Sequence, residues 1–341
     1  MALAGPLLDL SAPGGARLLA LRLLDELVAR RERLDRHPAP EALHQFRVAL
    51  RRLRTHLREY RAALRSRSTD RARRDLRLIA RTTGASRDLE VQLAGLDAAV
   101  AGATPLQRPG YDWYRRRLRT DLRAARDAAG DALAGGFPGA ERRLRRALKR
   151  ERNGKVPVRE RRPVRTLAHE AADRLATLAA ELDAGLGAVR GPLDQEDAHR
   201  ARMVAKRLRY LLEPMADALT RSGGLARRLV QLQDQLGSLH DAHVLAERVE
   251  ALRQEAVDGE RADTLPGLLA IGDLAGERRA QAFEALRDGW PARRRRALRH
   301  ALEDAASALR NRLRPPPAPG RLPAPRRRRS DTAGTFAAPG V

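Results

Sequence analysis

Apolar residues recur at three- and four-residue intervals along most of the chain, the period of a helix with one buried face. On that pattern the first half divides into helices over residues 16–35, 41–65, 69–83, 87–100, 111–133 and 140–152. The second half divides into helices over 164–189, 194–219, 225–252, 265–288 and 291–313. His37-Pro38-Ala39-Pro40 ends the first helix, because proline lacks the amide donor that a helix interior needs. Pro40 then suits the first turn of the next helix, with Glu41 near its positive end. Gly84 and Gly237 are expected to interrupt their helices, and residues 101–110 to form a loop. Gly135-Gly136-Phe137-Pro138-Gly139 is expected to break the chain.

The organisation that follows is an N-terminal helical half over 15–152, a linker over 153–163 and a C-terminal helical half over 164–290. An additional helix over 291–313 and a tail over 314–341 complete the chain. The tail is rich in Pro, Ala, Gly and Arg, carries Arg326-Arg327-Arg328-Arg329, and lacks the apolar periodicity needed to fold; it is expected to be disordered.

The halves match in detail. HQFRVALRRLR at 44–54 aligns without gaps on HRARMVAKRLR at 199–209, and GASRDLEV at 84–91 aligns on GSLHDAHV at 237–244. Both pairs keep the same order at nearly the same separation, which points to an internal duplication.

Composition narrows the class. Apolar residues make up 43% of 341 residues but aromatic ones only 3%, so the core must be built from Leu, Ala and Val. That favours helix-on-helix packing and an all-α fold. The absence of cysteine excludes disulfides and Cys-ligated metal sites. No uncharged apolar run nears the roughly 20 residues that span a bilayer, and Leu7, Leu8 and Leu10 have neither a basic region before them nor a typical cleavage site after. A cytoplasmic protein with no membrane partner is expected.

Charge changes the picture most. With 68 basic against 43 acidic residues the net charge is +25, an excess that repels itself in a compact chain and attracts polyanions. Nearly all of it is arginine, whose planar fork meets phosphate oxygens in pairs.

On the helix over 41–65, Leu43, Phe46, Leu50, Leu53 and Leu57 form the core stripe. One residue later in each case stand His44, Arg47, Arg51, Arg54 and Arg58, a second stripe rotated about 100° from the first. Nothing acidic interrupts it, although like charges four residues apart destabilise a helix. The second copy sets His199, Arg202, Lys206 and Arg209 beside Ala201, Ala205, Leu208 and Leu212. An anion would supply the missing negative charge; long arginine stems lying over apolar surface are the alternative. Arg52 and Arg207 point away from the stripe.

His240 and His243 share a helix face, but Arg87 and Glu90 stand at those positions in the first half and are not metal ligands. No metal site is expected. Asp88 and Asp241 are read as orienting nearby basic groups or satisfying helix ends near the glycine break. No phosphate-binding glycine loop, nucleophile elbow or His-Glu-x-x-His motif is present. Neither a catalytic residue nor a cofactor is assigned, and no enzyme activity is expected.

The pattern His-x-x-Arg-Val-x-x-Arg-Arg-Leu-Arg at 44–54, looser at 199–209, resembles the CHAD family, the conserved histidine α-helical domain. Gly-x-x-Arg-Asp-x-x-Val at 84–91, with 237–244 as its partner, is similar to that family's second repeated motif. The resemblance implies two pseudo-symmetric antiparallel four-helix bundles around a basic central cavity, and binding of inorganic polyphosphate, often at polyphosphate granules. It implies ligand-facing roles for His44, Arg47, Arg51, Arg54, His199, Arg202, Lys206 and Arg209. Arg58, Arg87 and His240 are added as polyanion-binding candidates from their positions beside these. Two further readings stay open: an RNA- or DNA-binding protein using the same basic surface, and a phosphohydrolase or an accessory to one.

Overall fold

The computed structural model describes residues 5–150, 165–222 and 224–312, and nearly all of them are helical. The first half contains α1 (Ala12–Arg36), α2 (Pro40–Glu59), α3 (Arg67–Val100), α4 (Arg108–Asp131) and α5 (Phe137–Arg150). The second contains α6 (Leu167–Ala188), α7 (Gln195–Leu212), α8 (Leu225–Asp258), α9 (Leu265–Gly289) and α10 (Ala292–Asn311). The order and lengths repeat; α3 and α8 both have 34 residues. The expected linker at 153–163 and tail at 314–341 lie outside the described residues.

Hydroxyl caps start several helices by satisfying amides that have no partner in the first turn. Ser11 accepts from the Gly14 amide at 3.3 Å, Ser66 from Thr69 at 3.1 Å and Thr166 from His169 at 3.4 Å. Leu and Ala then dominate the buried faces.

Five features differ from the sequence pattern. Gly84 does not interrupt α3, and Gly237 does not interrupt α8; each sits inside one continuous helix. A glycine there costs about 1 kcal/mol, less than a helix with two packed faces recovers. Residues 135–139 do not break the chain either. Ala132–Gly136 form a π-turn in which the Phe137 amide reaches back to Ala132, so the register shifts where Pro138 has no amide to donate. The helix expected over 194–219 ends at Leu212, and Glu213–Ser222 tighten into a 3-10 segment that contains Pro214, which has no amide to donate. The helix expected to reach residue 65 ends at Glu59 instead, and the turn after it sends Tyr60 and Leu64 into the core.

Within each half the helices pack as neighbours, α2 on α1 and α3, α7 on α6 and α8, and α8 along α9. Between the halves, counterpart meets counterpart: α1 packs on α6, α2 on α7 and α4 on α9. At α4 and α9 the backbones almost touch. A Cβ on Gly110 would lie 2.2 Å from the Thr264 carbonyl oxygen, and one on Gly267 would lie 2.2 Å from that of Gln107. One large core joins α1, α2, α6, α7 and their neighbours, and a smaller one, around Tyr114 and Trp113, fills the α3–α4–α8–α9 end. Among the described residues no helix is long and apolar enough to cross a membrane.

Candidate anion-binding site

The basic rows lie on α2 and α7, whose buried stripes are Phe46, Leu50, Leu53 and Leu57 on one and Ala201, Ala205 and Leu208 on the other. Leu43 is only half-buried, and Ala49 joins the stripe. Because the rows sit a third of a turn from these stripes, helices packed through their apolar faces bring the rows to the rim of the shared interface.

There the rows meet. Arg51 of α2 reaches α7 and donates from Nη1 to the Tyr210 hydroxyl at 3.3 Å. Its charge acts on both Arg202 and Lys206. Arg47 and Arg54 flank Arg51 along α2. Burial lowers the pKa of Arg47, Arg54 and Arg202, with neighbouring guanidiniums adding to the effect; all stay charged. Burial acts most plainly on Lys206, whose ammonium is pushed down to about 7, with Arg202 and Arg51 adding repulsion. Two carboxylates approach the cluster, Asp88 from α3 and Asp241 from α8. Asp88 lies 3.9 Å from the Arg47 guanidinium, while burial and the negative charge of Asp88 raise the pKa of Asp241.

Two buried polar atoms here have no hydrogen-bond partner among the described residues: Arg202 Nε and His240 Nδ1. A buried donor left unsatisfied costs about 1–3 kcal/mol, more for a charged group. His199 lies against His240, with ring centroids 5.2 Å apart. Burial lowers both imidazoles, and Arg202 adds to it; His240 falls to about 4.

Other candidates fall outside this meeting point. Arg209 gives Nε to Glu213 at 2.7 Å and Nη1 to Gln233 at 3.3 Å, with its guanidinium 5.4 Å from the Tyr210 ring centre. It is neutralised and committed to the fold. Arg87 is paired with Glu90 at 3.2 Å, next to Arg47. Arg58 is exposed at the far end of the row, 3.7 Å from Glu59. His44 is exposed at the opposite end. Among the described residues no three His, Asp or Glu side chains gather as a metal-ligand set.

Arg77 of α3 stands beside Arg54 and was missed by the sequence pattern. With α3 read as one helix, Arg77, Arg81, Gly84 and Asp88 fall on one face. Treating Gly84 as a break hides that row. Arg47 packs over this part of α3 and donates to the Thr83 carbonyl.

The CHAD domain family profile matches residues 19–250. No curated protein matches the chain. The crystal structure of the CHAD domain from the plant Ricinus communis superimposes with a TM-score of 0.58 at 20% identity, covering 89% of this chain and 94% of that one. At that identity the likeness is one of fold.

Proposed function

The chain belongs to the CHAD domain family, and on that premise we propose that it binds inorganic polyphosphate, without catalysis, along the seam between α2 and α7. The observation that carries this reading is the meeting of Arg51 with Arg202 and Lys206 from the other half. Burying an ammonium among guanidiniums destabilises the empty protein. Such a cluster is worth keeping if a ligand supplies the opposite charge. A phosphate chain does so repeatedly, with an acceptor for each successive guanidinium and for the unpartnered Arg202 Nε.

Binding of this kind releases counterions, so its logarithm falls linearly with the logarithm of salt concentration. At about −0.7 per phosphate contact, Arg47, Arg51, Arg54, Arg202 and Lys206 together give a slope of about −3.5. Titration with polyphosphates of graded length at two salt concentrations tests the reading, with single-stranded RNA as competitor at matched phosphate. Affinity should rise with chain length, show that slope, and survive the RNA. The purified chain should release no orthophosphate. Displacement by RNA, or unchanged binding in Arg51→Gln combined with Arg202→Gln, would overturn it.

A further inference from the structure

Beside the basic cluster a cavity of about 530 Å³ opens between α3, α8 and α9. That is within the size range of small-ligand pockets. Val91, Leu96, Leu245 and Leu274 supply apolar walls, and Gln281 and Arg278 stand at the polar side. Asp241 belongs to both places: it lines the cavity and also acts on Arg202 and Lys206. A ligand spanning the two would place phosphate on the cations, a hydrogen-bond donor on the Asp241 carboxylate, and a flat apolar group between the walls.

We propose that this site accepts a nucleoside oligophosphate, with its phosphates on Arg51, Arg202 and Lys206, its ribose hydroxyls on Asp241 and its base in the cavity. The inference rests on the anion-binding reading above and names a ligand class for the same site. An amide offers both donor and acceptor to a base edge, which suits Gln281, and a guanidinium plane stacks on a ring, which suits Arg278. A carboxylate meeting a ribose diol is a familiar arrangement in dinucleotide sites. Asp241 also repels a bare phosphate chain from the cavity mouth, so what enters beyond Lys206 must be uncharged there. Burial raises the Asp241 pKa, as expected for an acceptor withdrawn from water.

Gly95 allows a clean test, because it lines the cavity and a Cβ built on it meets nothing within 4 Å. Gly95→Leu therefore projects into the space from an unobstructed Cβ, and Gly95→Ala serves as the control. The full chain is titrated calorimetrically with ATP and with tripolyphosphate, without divalent metal. Wild type should bind ATP at least tenfold more tightly than tripolyphosphate, although ATP carries less charge. Gly95→Leu should bring ATP down to the tripolyphosphate level and leave tripolyphosphate unchanged. Asp241→Asn should weaken ATP and strengthen tripolyphosphate. If ATP binds no better than tripolyphosphate, or if Gly95→Leu affects both alike, the cavity carries no base and the inference fails while the anion site stands. If neither ligand nor longer polyphosphate binds, both fall.

Discussion

Arg207 holds the buried carboxylate of Glu59 with two hydrogen bonds across the junction of the halves, Nε to Oε1 at 2.7 Å and Nη2 to Oε2 at 3.1 Å. Arg52 answers it from the other side, giving Nε to Glu213 at 2.7 Å. Each arginine also grips a glutamate on the first helix of its own half, Arg207 with Glu181 and Arg52 with Glu26, both at 3.0 Å. The two arginines that stand next to the basic rows in sequence are therefore the bolts of the junction.

Glu59→Gln should destabilise the chain by on the order of 3 kcal/mol, since it leaves a largely buried guanidinium short of charge. Glu59 is only 2% exposed, whereas Glu213 is 20% exposed, so Glu213→Gln should cost less. Denaturant unfolding of both variants checks the order. A loss for Glu59→Gln no larger than the roughly 1 kcal/mol of a surface pair would remove its structural role.

Gly110→Ala and Gly267→Ala should each cost at least about 2 kcal/mol, because the added methyl meets backbone rather than a movable side chain. Gly237→Ala, with nothing within 4 Å of the new methyl, should be neutral or stabilising. Thermal melts of the three variants make the comparison. Equal effects at all three positions would mean that the α4–α9 crossing is looser than described.

Arg202→Gln and Arg209→Gln separate binding from folding. The first should lower polyphosphate affinity several-fold while leaving the unfolding midpoint level or raised, since it removes one of several crowded charges. The second should lower stability and touch affinity little, because Arg209 is already paired with Glu213. The reverse pattern would reassign the two residues.

Polyphosphate affinity should fall as pH rises through about 7, where the Lys206 ammonium of the free protein loses its proton. His199 and His240 are held below the ordinary imidazole value, so they contribute only on the acidic side. Stability of the ligand-free chain runs the other way. Between about 7 and the unperturbed lysine value of 10.5, the unfolded chain binds the proton that the folded chain has lost, so this residue adds stability as pH rises. Lys206→Arg, always charged, should flatten both dependences; titrations on either side of neutral pH decide it.

The helical class was legible from the sequence, as were the repeat and the two basic rows, because each depends on spacing within a turn or two of one helix. Helix continuity was not. Gly84, Gly237 and Gly135-Gly136 look like breaks when only local preference counts, and packing on both sides outweighs that preference. The cost of the misreading was Arg77, whose place beside Arg54 depends on α3 being one piece. Arg108-Pro109-Gly110 reads as the end of a loop and Leu265-Pro266-Gly267 as an ordinary helix start, yet both begin helices whose glycines cross.

By itself the sequence determined that a surplus of guanidiniums rides on amphipathic helices in two matched copies, since a 3.6-residue period and a charge count are local quantities. Only the tertiary structure decided which of those charges remain to be answered. Arg207 finds Glu59 at a separation of 148 residues, Arg209 finds Glu213 one turn away, and Arg202 keeps a buried Nε without a partner among the described residues. Coulomb attraction acts through space rather than along the chain, so the distinction between a bolt and a binding group could be made only once the two halves had met.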